Sequence, residues 1–176
     1  MNDLVKISPE NGFDIIWDIR YATTNNVAGQ KIYDKPHCFL HKNCAKNFKI
    51  AIEFAKIQNL RFKVFDGYRP IEAQQFLFDK FPTDGFVSNP KDGAVPHCRG
   101  VAIDLTLIDK NGDELDMGTD FDNFTELAYH GSTKVSPLAQ KNRFLLLGIM
   151  SAAGFDFYSK EWWHYQLFEP RKYPLI

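Results

Sequence analysis

The sequence predicts an α+β fold in which helices pack on a small, mostly antiparallel sheet. Three observations lead there: helical periodicity in three segments, an alternating strand with an aspartate at its middle, and an aromatic strand pair near the C-terminal end. Residues 1–176 read as a single domain. A chain of 176 residues with 44% apolar side chains can bury one sizeable core, and it contains no repeat, low-complexity tract or linker at which to divide it.

The opening stretch to Lys35 mixes short β-prone pieces such as Ile15 to Trp17 with polar turns such as Thr24-Asn25-Asn26, and is read as extended chain wrapping a core. From His41 to Gln58, Cys44, Phe48, Ile52 and Ala55 recur at helical spacing with Lys and Glu between them, which predicts an amphipathic helix. Arg61 to Phe65 alternates and then breaks at Asp66-Gly67, a strand running into a turn. Pro70 suits the first turn of a second helix, which the apolar Ile71, Ala73, Phe76 and Leu77, with Gln74, carry to about Lys80. Pro82 to Pro96 is rich in Pro, Gly, Asp and Asn and is expected to be a long surface loop, a type of segment that often carries function.

Val101 to Leu107 alternates, with Val101, Ile103, Leu105 and Leu107 on one face and Ala102, Asp104 and Thr106 on the other. Asn111-Gly112 signals a turn, and Pro137 to Ala153 reads as a helix stopped by Gly154. Phe155 to Tyr158 and Trp163 to Phe168 form the expected C-terminal hairpin.

Composition removes several classes of function. With 21 basic against 22 acidic side chains, no bulk charge draws the chain to nucleic acid or to a membrane surface. Apolar runs such as Phe144 to Ile149 fall far short of the roughly 20 residues a membrane helix needs. Met1 to Ile16 lacks the basic start and long apolar run of a secretory signal, so a cytoplasmic location is expected. Cys38, Cys44 and Cys98 show no disulfide spacing, in keeping with reduced thiols. Cys38 and Cys44 are read as small buried apolar residues. The alternative, a structural zinc site with His37 and His41, lacks the paired C-x-x-C spacing.

An aspartate in the middle of a strand is costly unless its charge meets a partner. In P-H-C-R-G-V-A-I-D, His97 precedes a glycine turn that feeds the strand carrying Asp104, and an imidazole with a carboxylate suits zinc. Taken alone, the pair equally describes a solvated loop histidine and an ion pair between Asp104 and Arg99. E-W-W-H-Y adds a second imidazole, His164, and a carboxylate, Glu161. Two histidines and one aspartate leave a fourth coordination position open for water, which separates a catalytic zinc from a closed structural one. Glu161 could then carry a proton from water to a leaving amine, or else pair with Lys160 or Arg171 at the surface. Arg69, in D-G-Y-R-P, lies at a strand-to-helix junction. It could point into a cleft and stabilise an oxyanion, a contribution of roughly 3 kcal/mol, or be a surface arginine capped by Asp66. His37, His41 and His130 lack a partner at metal-ligand spacing and read as structural or surface residues.

The motifs W-D-I-R-Y-A-T, D-G-Y-R-P, H-C-R-G-V-A-I-D-L-T-L, M-G-T-D-F-D and E-W-W-H-Y, in this order from Trp17 to Tyr165, resemble those of the VanX-type D-alanyl-D-alanine dipeptidases. These belong to a wider group of zinc D,D- and L,D-peptidases that share the hedgehog/DD-peptidase fold. The resemblance implies that His97, Asp104 and His164 hold one zinc ion per chain, that Glu161 is the general base, and that Arg69 stabilises developing negative charge. It places Asp122 and Tyr21 near the free amino group of a small D,D-dipeptide, so that an anionic pocket would favour a dipeptide over a long peptide. Hydrolysis of D-alanyl-D-alanine to two D-alanines is the expected reaction. The alternatives are a D,D- or L,D-carboxypeptidase acting on peptidoglycan fragments and a non-catalytic, zinc-stabilised binding module. The chain departs from the wider group in one place: Val95 and Pro96 precede His97, where Ser or Thr usually stands two residues before the first zinc histidine. Cys98, beside His97, carries a thiol that could intrude on the metal.

Overall fold

The computed structural model describes residues 3–82, 85–91 and 93–176. In chain order its strands and helices are β1 (Leu4–Lys6), β2 (Ile15–Trp17), β3 (Phe39–His41), α1 (Lys42–Ile57), β4 (Arg61–Asp66), α2 (Ile71–Lys80), β5 (Ala102–Ile108), α3 (Pro137–Ala152), β6 (Asp156–Phe157) and β7 (His164–Gln166). Five strands form one sheet in the order β2-β4-β5-β7-β6, and β1 pairs with β3 in a separate ribbon. Of the pairings in the larger sheet, only β2 with β4 is parallel. The α+β reading therefore holds, with one parallel edge pair that three-residue β2 was too short to announce.

The helices begin and end where local chemistry allows. His41 caps α1, its Nδ1 accepting from the Asn43 N–H, which gives this histidine a structural task away from any metal. Ser136 caps α3 by accepting from the Ala139 N–H, with Pro137 in the first turn. The apolar faces of α1 and α3 cover the face of the sheet that carries Ile103, Leu105, Leu107 and Tyr165, and Phe48 of α1 meets Phe62 of β4 at 5.3 Å between ring centres. All seven residues of β5 are buried, so the face bearing Asp104 is enclosed as well as the apolar one.

Cys38 and Cys44 are fully buried thiols, and burial raises both pKa values. The expected loop from Pro82 to Pro96 is present as turns over Gly85 to Lys91, while Thr83, Asp84 and Asp92 lie outside the described residues. Among the described residues no helix is long and apolar enough to cross a membrane.

His130 is packed under the β6/β7 hairpin against Phe157 and Tyr165, and neither ring nitrogen has a hydrogen-bond partner among the described residues. Burial, with the Arg143 charge assisting, pushes its pKa down from 6.5 to about 4. Between these values the unfolded chain binds a proton that the folded chain refuses. The stability held above pH 6.5 should thus be lost as pH falls toward 4, by about 3 kcal/mol at most. Denaturant melts across this range should show the loss in the native protein and a flatter profile in His130→Phe.

Candidate active site

The sheet brings the candidate residues into one row. Asp104 pairs across β5 with Asp66 of β4 on one side and with His164 of β7 on the other, so three polar side chains lie next to each other on the same face. A register shift between Val64 and Asp66 turns the end of β4 toward this row. His97 arrives from above on a short 3-10 turn, Pro96–Arg99. That turn is entered through Val95 at φ 41° and left through Gly100 at φ 65°. A Cβ on Gly100 would come within 2.9 Å of the His41 backbone nitrogen, so only glycine lets the turn sit on the β3 ribbon. Val95 in the left-handed region is strained by about 1–3 kcal/mol. Its side chain is buried, and Ala94 and Pro96 line the cleft in its stead.

His97, Asp104 and His164 are all buried, and one ligand atom from each lies within 4.8 Å of the others. His97 Nε2 is 3.2 Å from His164 Nδ1 and 3.4 Å from an Asp104 carboxylate oxygen, and His164 Nδ1 is 3.0 Å from the other Asp104 oxygen. The remaining ring nitrogens are engaged elsewhere. His97 Nδ1 donates to the Gly67 carbonyl at 2.7 Å, and His164 Nε2 donates to Gln166 Oε1 at 3.0 Å. Each contact fixes the tautomer that turns a lone pair to the common point, as metal-binding histidines require. Burial raises the Asp104 pKa, but His97 and His164 outweigh it and hold the carboxylate ionised. A converging set of two imidazoles and one carboxylate, with oriented second nitrogens, fits a divalent cation, and among the described residues it is the one group of this kind. The Cys98 sulfur is outside the trio, and burial raises the thiol to about 11.

Glu161, in the turn before β7, stands 3.9 Å from His164 Nδ1 and is almost completely buried. Burial pushes its pKa up to about 8 against the pull of His164. Trp162 anchors this turn by donating from its ring nitrogen to Thr119 Oγ1 at 2.8 Å.

Arg69 is a buried side chain, not a surface one. Its Nε and Nη2 donate to Asp66 Oδ2 at 3.0 and 2.8 Å, and its Nη1 donates to Gln74 Oε1 at 3.0 Å. Nη2 lies 3.7 Å from Asp104. Three of the five guanidinium N–H groups are occupied by these bonds, which leaves two on a side chain that lines the cleft.

Asp122 lines the same cleft in the left-handed conformation, φ 61°. Its carboxylate accepts from Tyr21 OH at 3.0 Å and from the Val27 N–H at 3.2 Å. Burial lifts its pKa to about 7 against these two bonds and the Arg69 charge. Arg143 of α3 pins the surrounding segment by donating to the carbonyls of Met117 and Tyr129, each at 2.7 Å. All seven residues that the sequence singled out therefore line, or nearly touch, one cavity of about 240 Å³. Asp66, expected only as the cap of a surface arginine, does hold Arg69, but inside the cleft wall; Gln74, Gln166 and the Gly67 carbonyl were missed. A larger, open depression of about 790 Å³ lies beyond Tyr33 and contains none of the trio.

The chain is similar to known proteins along nearly its whole length. Residues 3–174 match the family Peptidase_M15, described as D-ala-D-ala dipeptidase. The chain is 38% identical over 174 residues to a D-alanyl-D-alanine dipeptidase of Escherichia coli, an alignment that covers 99% of this chain and 88% of that protein. It is 31% identical over 175 residues to the D-alanyl-D-alanine dipeptidase of Enterococcus faecium, covering 86% and 85% of the two chains. Among solved structures, the LD-carboxypeptidase LdcB shares the fold, with a TM-score of 0.56 at 17% identity over 98% of this chain and 71% of LdcB. With the trio, the buried glutamate and a family match along nearly its whole length, the chain belongs to the Peptidase_M15 family of D-ala-D-ala dipeptidases and is a metallopeptidase.

Proposed function

We propose that the protein hydrolyses small D,D-dipeptides, D-alanyl-D-alanine first among them, with one zinc ion held by His97, Asp104 and His164. The observation that carries this reading is the cleft itself. In one cavity of about 240 Å³ it sets a cation-binding trio beside a buried carboxyl 3.9 Å from His164, an arginine with donors to spare, and a further carboxylate, Asp122. When bound, the zinc would polarise the scissile carbonyl and lower the pKa of its water to about 7.

The side chains account for the rest of the chemistry. Glu161, 3.9 Å from the ligand atom His164 Nδ1, takes the proton of the attacking water and delivers it to the departing amine. Arg69 meets the negative charge that develops on the carbonyl oxygen with its two remaining N–H groups. Asp122, fixed by Tyr21 and Val27, pairs with the free ammonium of the substrate. A peptide whose amino end continues would bury that carboxylate without a partner, which is costly.

Zinc-loaded protein should cleave D-Ala-D-Ala and lose the activity to a chelator, and it should prefer the dipeptide to a muropeptide ending in the same bond. Asp122 is neutral below its pKa of about 7, so KM should rise as pH falls below that value, and this dependence should vanish in Asp122→Asn. Equal turnover of the muropeptide would favour a carboxypeptidase, and intact D-Ala-D-Ala would refute the proposal.

A further inference from the structure

Two side chains hydrogen-bond the Arg69 guanidinium, which also lies over the Tyr21 ring at 5.0 Å from its centroid and 3.7 Å from Asp104. Asp66 receives both Nε and Nη2 on the same oxygen, Oδ2. Those two bonds hold the Nε/Nη2 edge and leave the Nη1 end to be held by another acceptor. The second hold comes from Gln74, whose Oε1 accepts from Nη1 at 3.0 Å.

Gln74 lies on the buried face of α2 between Ala73 and Leu77 and is 2% exposed. A primary amide in that position is costly unless both of its ends find partners. Arginine offers only donors, so the amide oxygen must face Arg69, and the nitrogen is turned the other way. There it donates to the Ser88 carbonyl at 2.8 Å. Ser88 belongs, with Gly85, Phe86 and Val87, to the segment that roofs the cleft. One side chain thus links the arginine to the roof.

We propose that Gln74 is a positioning residue for the reaction: by tying Arg69 Nη1 to the cleft roof at Ser88, it sets the plane of the guanidinium and so the aim of its two remaining N–H groups. This rests on the reading of Arg69 as the donor to the developing oxyanion. Such donors act only within about 2.7–3.1 Å of the charge they stabilise, and a misplacement of about 1 Å costs on the order of 100-fold in rate. Without Gln74, Asp66 still holds the near edge, while Nη1 swings toward whatever acceptor it can reach.

Four zinc-loaded proteins test the proposal: the native chain, Gln74→Leu, Arg69→Gln and the double variant. Each is measured by steady-state kinetics on D-Ala-D-Ala and by inhibition with a phosphinate analogue, whose tetrahedral anionic phosphorus mimics the oxyanion. Gln74→Leu should lower kcat about 10- to 100-fold, keep KM within about 2-fold, and weaken the phosphinate as much as it lowers kcat/KM. In the Arg69→Gln background it should change nothing further, because there is no guanidinium left to aim. Native-like kcat in Gln74→Leu beside a slow Arg69→Gln would overturn the role of Gln74 alone. An undiminished effect of Gln74→Leu in the Arg69→Gln background would overturn it too, by showing a merely structural loss. Native-like kcat in Arg69→Gln would remove the arginine from the mechanism and this proposal with it. If Gln74→Leu fails to fold, Gln74→Met carries the same expectations.

Discussion

Glu161→Ala should bind zinc, melt no lower than the native protein and hydrolyse D-Ala-D-Ala about 10³- to 10⁴-fold more slowly. The expected stability follows from the environment of the carboxyl. Burial lifts its pKa to about 8, which means that the site disfavours the charged form and that folding gains nothing from the charge near neutral pH. Removing the group relieves that penalty and leaves Trp162 still bonded to Thr119, so the turn keeps its anchor. The expected rate follows from position. Among the carboxylates lining the cleft, Asp104 is held ionised by two histidines and Asp122 is occupied by Tyr21 and Val27, which leaves Glu161 as the one disposed to carry a proton. Glu161→Gln, which preserves shape and removes basicity, should be as slow as the alanine variant. Turnover close to native in either would take Glu161 out of the mechanism.

Arg69→Gln should lower kcat/KM about 100- to 1000-fold while zinc content stays at one per chain. Electrostatic donors aimed at developing charge are worth most in a water-poor site, and this guanidinium is both buried and held from two directions. The substitution also strips Asp66 of its counter-ion. Burial already pushes the Asp66 pKa upward, and loss of Arg69 removes the main opposing influence, so the carboxyl takes a proton in the folded variant. A group whose folded pKa is raised destabilises the fold once the pH is high enough to ionise it. The melting temperature of Arg69→Gln should accordingly fall further below native at pH 8 than at pH 5. Adding Asp66→Asn should restore stability at pH 8 without restoring the rate, and a joint recovery of both would contradict the role given to Arg69.

The parts of this molecule that the sequence made legible are those in which one short segment carries its own signal. The alternation of Val101 to Leu107 placed Asp104 on a strand face, and β5 has that geometry. The helix expected from Pro137 to Ala153 ends one residue earlier, and the one expected near His41 begins at Lys42 because His41 spends its ring on the cap. Pairings between distant short strands were not legible. Leu4–Lys6 meets Phe39–His41 across more than thirty residues, and three-residue strands carry too little pattern to show either the partner or its direction.

The site divides along the same line. The trio, Glu161 and Arg69 stand in compact motifs, whereas the groups that orient them were not recognised. Gln166 and the Gly67 carbonyl act on histidines through contacts made only in the folded chain, and a backbone carbonyl leaves no trace in a sequence. Asp66 was read as the partner of Arg69 only in the surface alternative, whereas the pair is buried, and Gln74 did leave a trace: an amide among the apolar positions of a helix. A buried polar residue on an apolar face needs a partner, and asking which one would have led from Gln74 to Arg69.

The most direct test of the account is a crystal structure of the zinc-loaded protein with anomalous data collected at the zinc edge. One peak should appear within about 2.0–2.2 Å of His97 Nε2, His164 Nδ1 and an Asp104 carboxylate oxygen, with one position facing Glu161 left to solvent. A peak held by other side chains, or none at that point at full zinc loading, would contradict it.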